Sequence, residues 1–172
     1  MKKLSRVVSF LLVLAMLLSV MPTVFAAPEE ETTPEEIVIL YTNDIHTYIG
    51  NPLSYDNLAA LKDEIAATGA EVLLMDAGDH IQGTAYGSMD KGETIIKLMN
   101  AASYDLATLG NHEFDYGMAR ALELVEKANF PYVSANFYHE KDGVKGETVL
   151  DAYQLFEIGG KKIAVIGITT PE

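Results

Sequence analysis

Three short apolar runs, each followed at once by a polar cluster, constrain this chain more than any other feature. Ile37-Val38-Ile39-Leu40-Tyr41 is wholly apolar and predicts a strand buried on both faces; Glu71 to Met75 predicts a second, and Asp105 to Leu109 a third. Helical spacing fills the gaps between them. Ser54 stands where a cap is needed before Leu58, Leu61 and Ile65, and Gly69 closes that segment. Glu93 to Ala101 places Ile95, Ile96 and Met99 on one side, and Met118 to Ala128 turns Ala121, Leu122 and Val125 inward before Pro131. Tyr132 to Ala135 predicts a fourth strand, and Tyr153–Ile158 with Lys162–Ile168 a hairpin around Gly159-Gly160. Strands alternating with helices imply an α/β domain with a parallel or mixed sheet. Its ligands are then expected beyond the carboxyl ends of the strands.

The amino terminus is of a different kind. Lys2, Lys3 and Arg6 precede an apolar run from Val7 to Val20, and Val24-Phe25-Ala26 offers small residues for cleavage. Residues 1–26 are therefore expected to be a secretory signal peptide, and 27–36 an acidic, Thr- and Pro-containing linker. The domain proper is residues 37–172. The run is shorter than the roughly 20 residues a bilayer span requires, so a cleaved leader is expected in place of a membrane anchor, and no transmembrane span is expected in the mature part. Export places the protein outside the cytoplasm: extracellular, at the cell surface or periplasmic.

The net charge of −13 becomes more negative once the three leader cations are removed. Such a chain lacks the Lys and Arg excess that binding a nucleic-acid polymer needs. It has no cysteine, which excludes thiolate-ligated metal and a cysteine nucleophile. Any metal must be held by Asp, His, Asn or similar donors.

Such residues stand after each of the three runs. The clusters are Thr42-Asn43-Asp44-Ile45-His46, Asp76-Ala77-Gly78-Asp79-His80 and Gly110-Asn111-His112-Glu113-Phe114-Asp115. In an extended segment Asp44 and His46 would point the same way and grip one borderline divalent cation together. Asp79 follows a glycine that permits a sharp turn, and its two oxygens can bridge two cations. Asn111, also after a glycine, offers a neutral oxygen. His112, with Asp115 three positions on, is an oriented imidazole fit for proton transfer.

In these motifs, and in Gly92-Glu93 to Met99-Asn100 with Tyr104-Asp105, the chain resembles the 5′-nucleotidase and 2′,3′-cyclic-nucleotide phosphodiesterase family of calcineurin-like metallophosphoesterases. The resemblance runs from Ile37 to Glu172. It implies part of a four-layer α/β/β/α sandwich, truncated, with two divalent metal ions, zinc, manganese or similar. Asp44 and His46 would bind the first metal, Asp79 would bridge both, and Asn111 would bind the second. His112, held by Asp115, would be the catalytic imidazole and not a ligand. The implied activity is hydrolysis of nucleotide phosphate esters by attack of a bridging hydroxide, with a nucleotide or other phosphate ester as the partner. Alternatives are a phosphodiesterase or nucleotide-sugar hydrolase of the same family, or an inactive, binding-only metal-site fragment.

The family commonly has Gly where this chain has Thr47, which is expected to narrow the approach to the first metal. Further ligands and a nucleoside-holding domain are expected beyond Glu172, leaving the later apolar strands with an uncovered face. His139 reads as an exposed histidine in a polar turn, His80 as a structural or metal-supporting one. Glu113 and Phe114 are expected to shape the turn, Tyr48, Tyr86 and Tyr116 to pack, and Gln82 and Thr84 to line the site. Oligomeric state is not legible.

Overall fold

Ile37–Thr42 (β1), Glu71–Asp76 (β2) and Leu106–Ala107 (β3) form a parallel sheet in the order β1-β2-β3. The structure, a computed structural model, describes residues 36–170 apart from 51 and 53. The expected signal peptide, and all but the last residue of the linker, lie outside the described residues. Among those described, no helix is long and apolar enough to cross a membrane.

Helices make the crossovers: α1 (Tyr55–Ala66) after β1, then α2 (Ala85–Ser88) and α3 (Glu93–Ala101) after β2. After β3 come a 3₁₀ turn (His112–Phe114) and α4 (Met118–Lys127). Two antiparallel hairpins complete the chain, β4 (Tyr138–Lys141) with β5 (Val144–Thr148) and β6 (Tyr153–Ile158) with β7 (Lys161–Ile166).

The pleat of β2 divides the core in two. Leu74 joins Ile81, Ile95, Ile96, Met99, Leu109 and Leu124 on the helix side. Leu73 and Met75 face the other way, with Leu106 and Val133, onto Phe156, Ile158 and Val165 of the last hairpin. Each fully buried side chain of this size contributes about 1.5–3 kcal/mol. Helices, parallel sheet and hairpin are thus stacked layers of the expected sandwich.

Several expectations change. β1 is not buried on both faces: Ile39 and Tyr41 are 48% and 75% exposed, because β1 is an edge strand beyond the hairpin's cover. The third strand narrows to two residues, flanked by the bonds Asp105 N–H to Leu74 O and Thr108 N–H to Asp76 O. Tyr132 to Ala135 is not a regular strand. It crosses between layers, bridging to Ala107, then Asp151, with Ala135 N–H donating to Gly167 O, so no single ladder can include it. The polar segment from Tyr138 is a two-stranded hairpin, solvent-exposed throughout, with His139 exposed as expected. At α1, Ser54 holds the cap position, but its hydroxyl bonds the Asp56 carboxylate instead of a backbone N–H. The outer face of the last hairpin is uncovered, with Leu155 52% and Ile166 63% exposed.

Candidate metal centre

All three polar clusters lie at the carboxyl edge of the parallel sheet, held together by backbone contacts. After β1 the chain is not extended, as the spacing of Asp44 and His46 suggested. Asp44, His46 and Thr47 all adopt left-handed conformations, with φ of 55°, 48° and 59°. At each such residue this costs about 1–3 kcal/mol, which surrounding bonds must offset. Asp44 N–H donates to Gly78 O at 3.1 Å and His46 N–H to Asp79 O at 2.9 Å. The coil still brings Asp44 Oδ1 to 3.5 Å from His46 Nε2. His46 Nδ1 lies 3.1 Å from the Gln82 carbonyl. A carbonyl only accepts, so Nδ1 carries the proton and Nε2 presents its lone pair on the side of Asp44.

The two glycines act differently. Gly78 has φ +104° and makes the turn. Gly110 is required by close approach: a Cβ there would stand 2.3 Å from Asp79 Oδ1. That oxygen accepts the His112 N–H at 2.8 Å, which joins the second and third clusters. In the 3₁₀ turn residues three apart eclipse, and His112 Nδ1 accordingly lies 2.9 Å from Asp115 Oδ2. Asn111 immediately precedes this turn and is partly buried.

His46, Asp79 and His112 each bring one potential ligand atom into a group whose members all lie within 4.8 Å of one another. Partial burial raises the Asp79 pKa against the opposing His112 N–H, with Glu113 and Asp44 pushing the same way as burial. The hydrogen bond to Asp115 raises that of His112. Burial and the neighbouring carboxylates thus disfavour the charged form of Asp79. A cation would relieve this, and a nitrogen–oxygen donor set without sulfur suits a divalent metal ion.

A buried polar floor of Asp76, His80 and Glu113 supports this edge. Asp76 Oδ2 accepts from Thr42 Oγ1 at 2.6 Å, and Thr42 Oγ1 lies 2.9 Å from the Tyr104 hydroxyl. Asp76 Oδ1 accepts Gly78 N–H at 2.8 Å and bonds His80 Nδ1 at 2.7 Å. His80, fully buried, reaches the Tyr132 hydroxyl with Nε2 at 2.8 Å. Burial pulls its pKa down, but Glu113 and Asp76 outweigh burial and raise it to about 9. Glu113 does more than shape the turn. Oε2 accepts the N–H groups of Asp79 and Gly110 at 2.8 and 2.6 Å, and Oε1 that of His80 at 2.9 Å. One sign of this floor was legible: an Asp ending the buried run Leu73-Leu74-Met75 must find partners. Glu113 gave none, since its donors on Asp79 and His80 come from more than thirty residues away.

Thr47 does not narrow the approach to His46, because its side chain is fully buried against Thr84 and Gly87. Tyr48 and Tyr86 are exposed, while Tyr116 packs on the core. Tyr48 lines a cleft of about 520 Å³ with Tyr41, Asn43 and Asp44.

Known proteins share this architecture. Residues 37–169 match the family model described as calcineurin-like phosphoesterase. A snake venom 5′-nucleotidase of Gloydius brevicauda is 36% identical over 154 residues, covering 80% of this chain and 26% of its own length. The 5′-nucleotidase of Vibrio vulnificus (strain CMCP6) is 38% identical over 148 residues, covering 81% and 26%. The crystal structure of a 5′-nucleotidase precursor from Thermus thermophilus superposes with a TM-score of 0.66 at 31% identity, over 77% of this chain and 28% of that one. The chain thus spans about a quarter of the length of these relatives. With the match running through the parallel sheet, its polar edge and the last hairpin, this chain belongs to the calcineurin-like phosphoesterase family.

Proposed function

We propose that this chain carries metal ligands and the catalytic imidazole of an exported phosphohydrolase acting on nucleotide phosphate esters, in the manner of a 5′-nucleotidase. The observation that carries the reading is the convergence of two proposed ligands, His46 and Asp79, with the proposed catalytic ring of His112, their donor atoms all within 4.8 Å of one another at the strand ends. Asp44 and His46 would hold the first cation, Asp79 would serve both, and Asn111 would hold the second. His112, oriented by Asp115, contacts the phosphoryl oxygen and delivers a proton to the leaving alkoxide. Two divalent cations held there, zinc, manganese or similar, would supply neutralisation of phosphoryl charge and activation of the attacking water. They also let an acidic chain accept an anionic ester, since local metal charge outweighs distant carboxylates.

Three named 5′-nucleotidases among the similar proteins support the nucleotide as substrate, and one comes from a venom. That origin, with the charged and apolar start of the sequence, supports export.

The test measures manganese and zinc binding by calorimetry, together with phosphate release from AMP and p-nitrophenyl phosphate. Cation binding is expected, lost in Asp79→Asn, with cation-dependent turnover that falls about 10²–10⁴-fold in His112→Ala while cation affinity is retained. A chain that binds neither cation, or turnover indifferent to both cation and His112, overturns the proposal.

A further inference from the structure

The residues Gln82-Gly83-Thr84 grip His46-Thr47 at three successive points. The Gln82 carbonyl bonds the His46 ring, at 3.1 Å from Nδ1. Gly83 lies flat on the His46 backbone, where a Cβ would stand 2.1 Å from the His46 carbonyl oxygen. Thr84 then closes on Thr47 with three hydrogen bonds. Its N–H donates to Thr47 Oγ1 at 2.6 Å and its hydroxyl to the Thr47 carbonyl at 3.0 Å. With the Thr84 proton so committed, the 2.7 Å contact between the two hydroxyls must be donated by Thr47.

Both threonines depart from what their local positions favour. Thr84 precedes α2, where a hydroxyl ordinarily caps a helix N–H, yet it makes no such bond. Thr47 is β-branched and holds φ 59°. It is nonetheless fully buried, and Gly87 of α2 leaves the space its methyl occupies: a Cβ at Gly87 would stand 2.4 Å from Thr47 Cγ2. The contact holds the Gln82 carbonyl, two residues before Thr84, against the imidazole.

We propose that Thr47 and Thr84 are positioning residues for His46, a clasp that sets the tautomer and orientation of its ring through the Gln82 carbonyl. The clasp fixes the proton on Nδ1 and leaves the Nε2 lone pair facing Asp44. It rests on the metal-site reading only for the cation that this lone pair would bind.

The chain has only four histidines, so the His46 ring signals can be assigned by single substitutions. In metal-free protein, at a pH where the ring is neutral, nitrogen–proton correlation NMR should show His46 protonated on Nδ1. Thr84→Val removes the hydroxyl at nearly constant shape and is expected to shift the ring toward the Nε2-protonated tautomer. It should also weaken zinc binding, measured by calorimetry, about 10- to 100-fold. Thr47→Val should do the same, the double variant no more than either single one, and Thr84→Ser should restore both readouts. An unchanged tautomer in Thr84→Val overturns the clasp, whatever happens to affinity, as does failure of Thr84→Ser to restore it. If the wild-type chain binds no zinc while the tautomer responds as expected, the metal reading fails and the clasp stands.

Discussion

The backbone N–H of His112 donates to Asp79 Oδ1 at 2.8 Å, so the proposed catalytic residue and the proposed bridging ligand share one bond. The bond forms only because Gly110 has no side chain between them. Gly110→Ala should therefore displace the Asp79 carboxylate and destabilise the fold by about 1–3 kcal/mol. Urea unfolding and manganese titration check this, with at least about a tenfold loss of affinity expected.

Glu113 uses both carboxylate oxygens to accept backbone N–H groups from the second and third clusters. Glutamine has one acceptor oxygen and one donor nitrogen, so Glu113→Gln sets an N–H against an N–H in a buried place. Each buried donor left unpaired costs about 1–3 kcal/mol. Urea unfolding should show destabilisation of about 2 kcal/mol or more, whereas an exposed change such as Glu140→Gln should cost almost nothing.

Asp115 stands 2.9 Å from His112 Nδ1 and is itself exposed. Asp115→Asn should leave the fold and cation binding intact. Turnover should fall about 10²-fold or less, a fraction of the loss from His112→Ala, because the ring is retained but poorly oriented. Steady-state kinetics on p-nitrophenyl phosphate, beside calorimetric cation binding, separates the two effects.

On the helical face, Glu93 bonds Lys97 at 2.9 Å and stands 3.3 Å from Lys127 and 3.4 Å from Arg120. Lys97 first, then Lys127 and Arg120, lower its pKa from 4.5 to about 2. A depressed carboxylate stabilises the fold above its ordinary value and loses that contribution as pH falls toward about 2. Wild-type stability should thus decline across this interval, and Glu93→Gln should flatten the decline. Urea unfolding at low and high salt checks both, the difference shrinking at high salt because the network is partly solvent-exposed.

What the sequence alone determined was local. Apolar runs ending in Asp, His and Asn clusters predicted parallel strands with chemistry at one edge, because burial of β2 and the helical spacing of Ile95, Ile96 and Met99 are properties of neighbouring residues. The last hairpin and α3 follow from the same local patterns. Tertiary structure decided the rest. The Asp44–His46 segment coils instead of extending because bonds to Gly78 and Asp79 hold it. Gly110 matters through a close approach to a carboxylate on another loop. Glu113, Asp76 and His80 form a polar floor whose main partners, Thr42, Asp79, Gly110 and Tyr132, come from separate parts of the chain. Thr47 turns away from the site to meet Thr84, thirty-seven residues on. Periodicity and spacing report which face a residue occupies. They carry no information on which distant N–H or carbonyl will stand there, and that pairing positions this site.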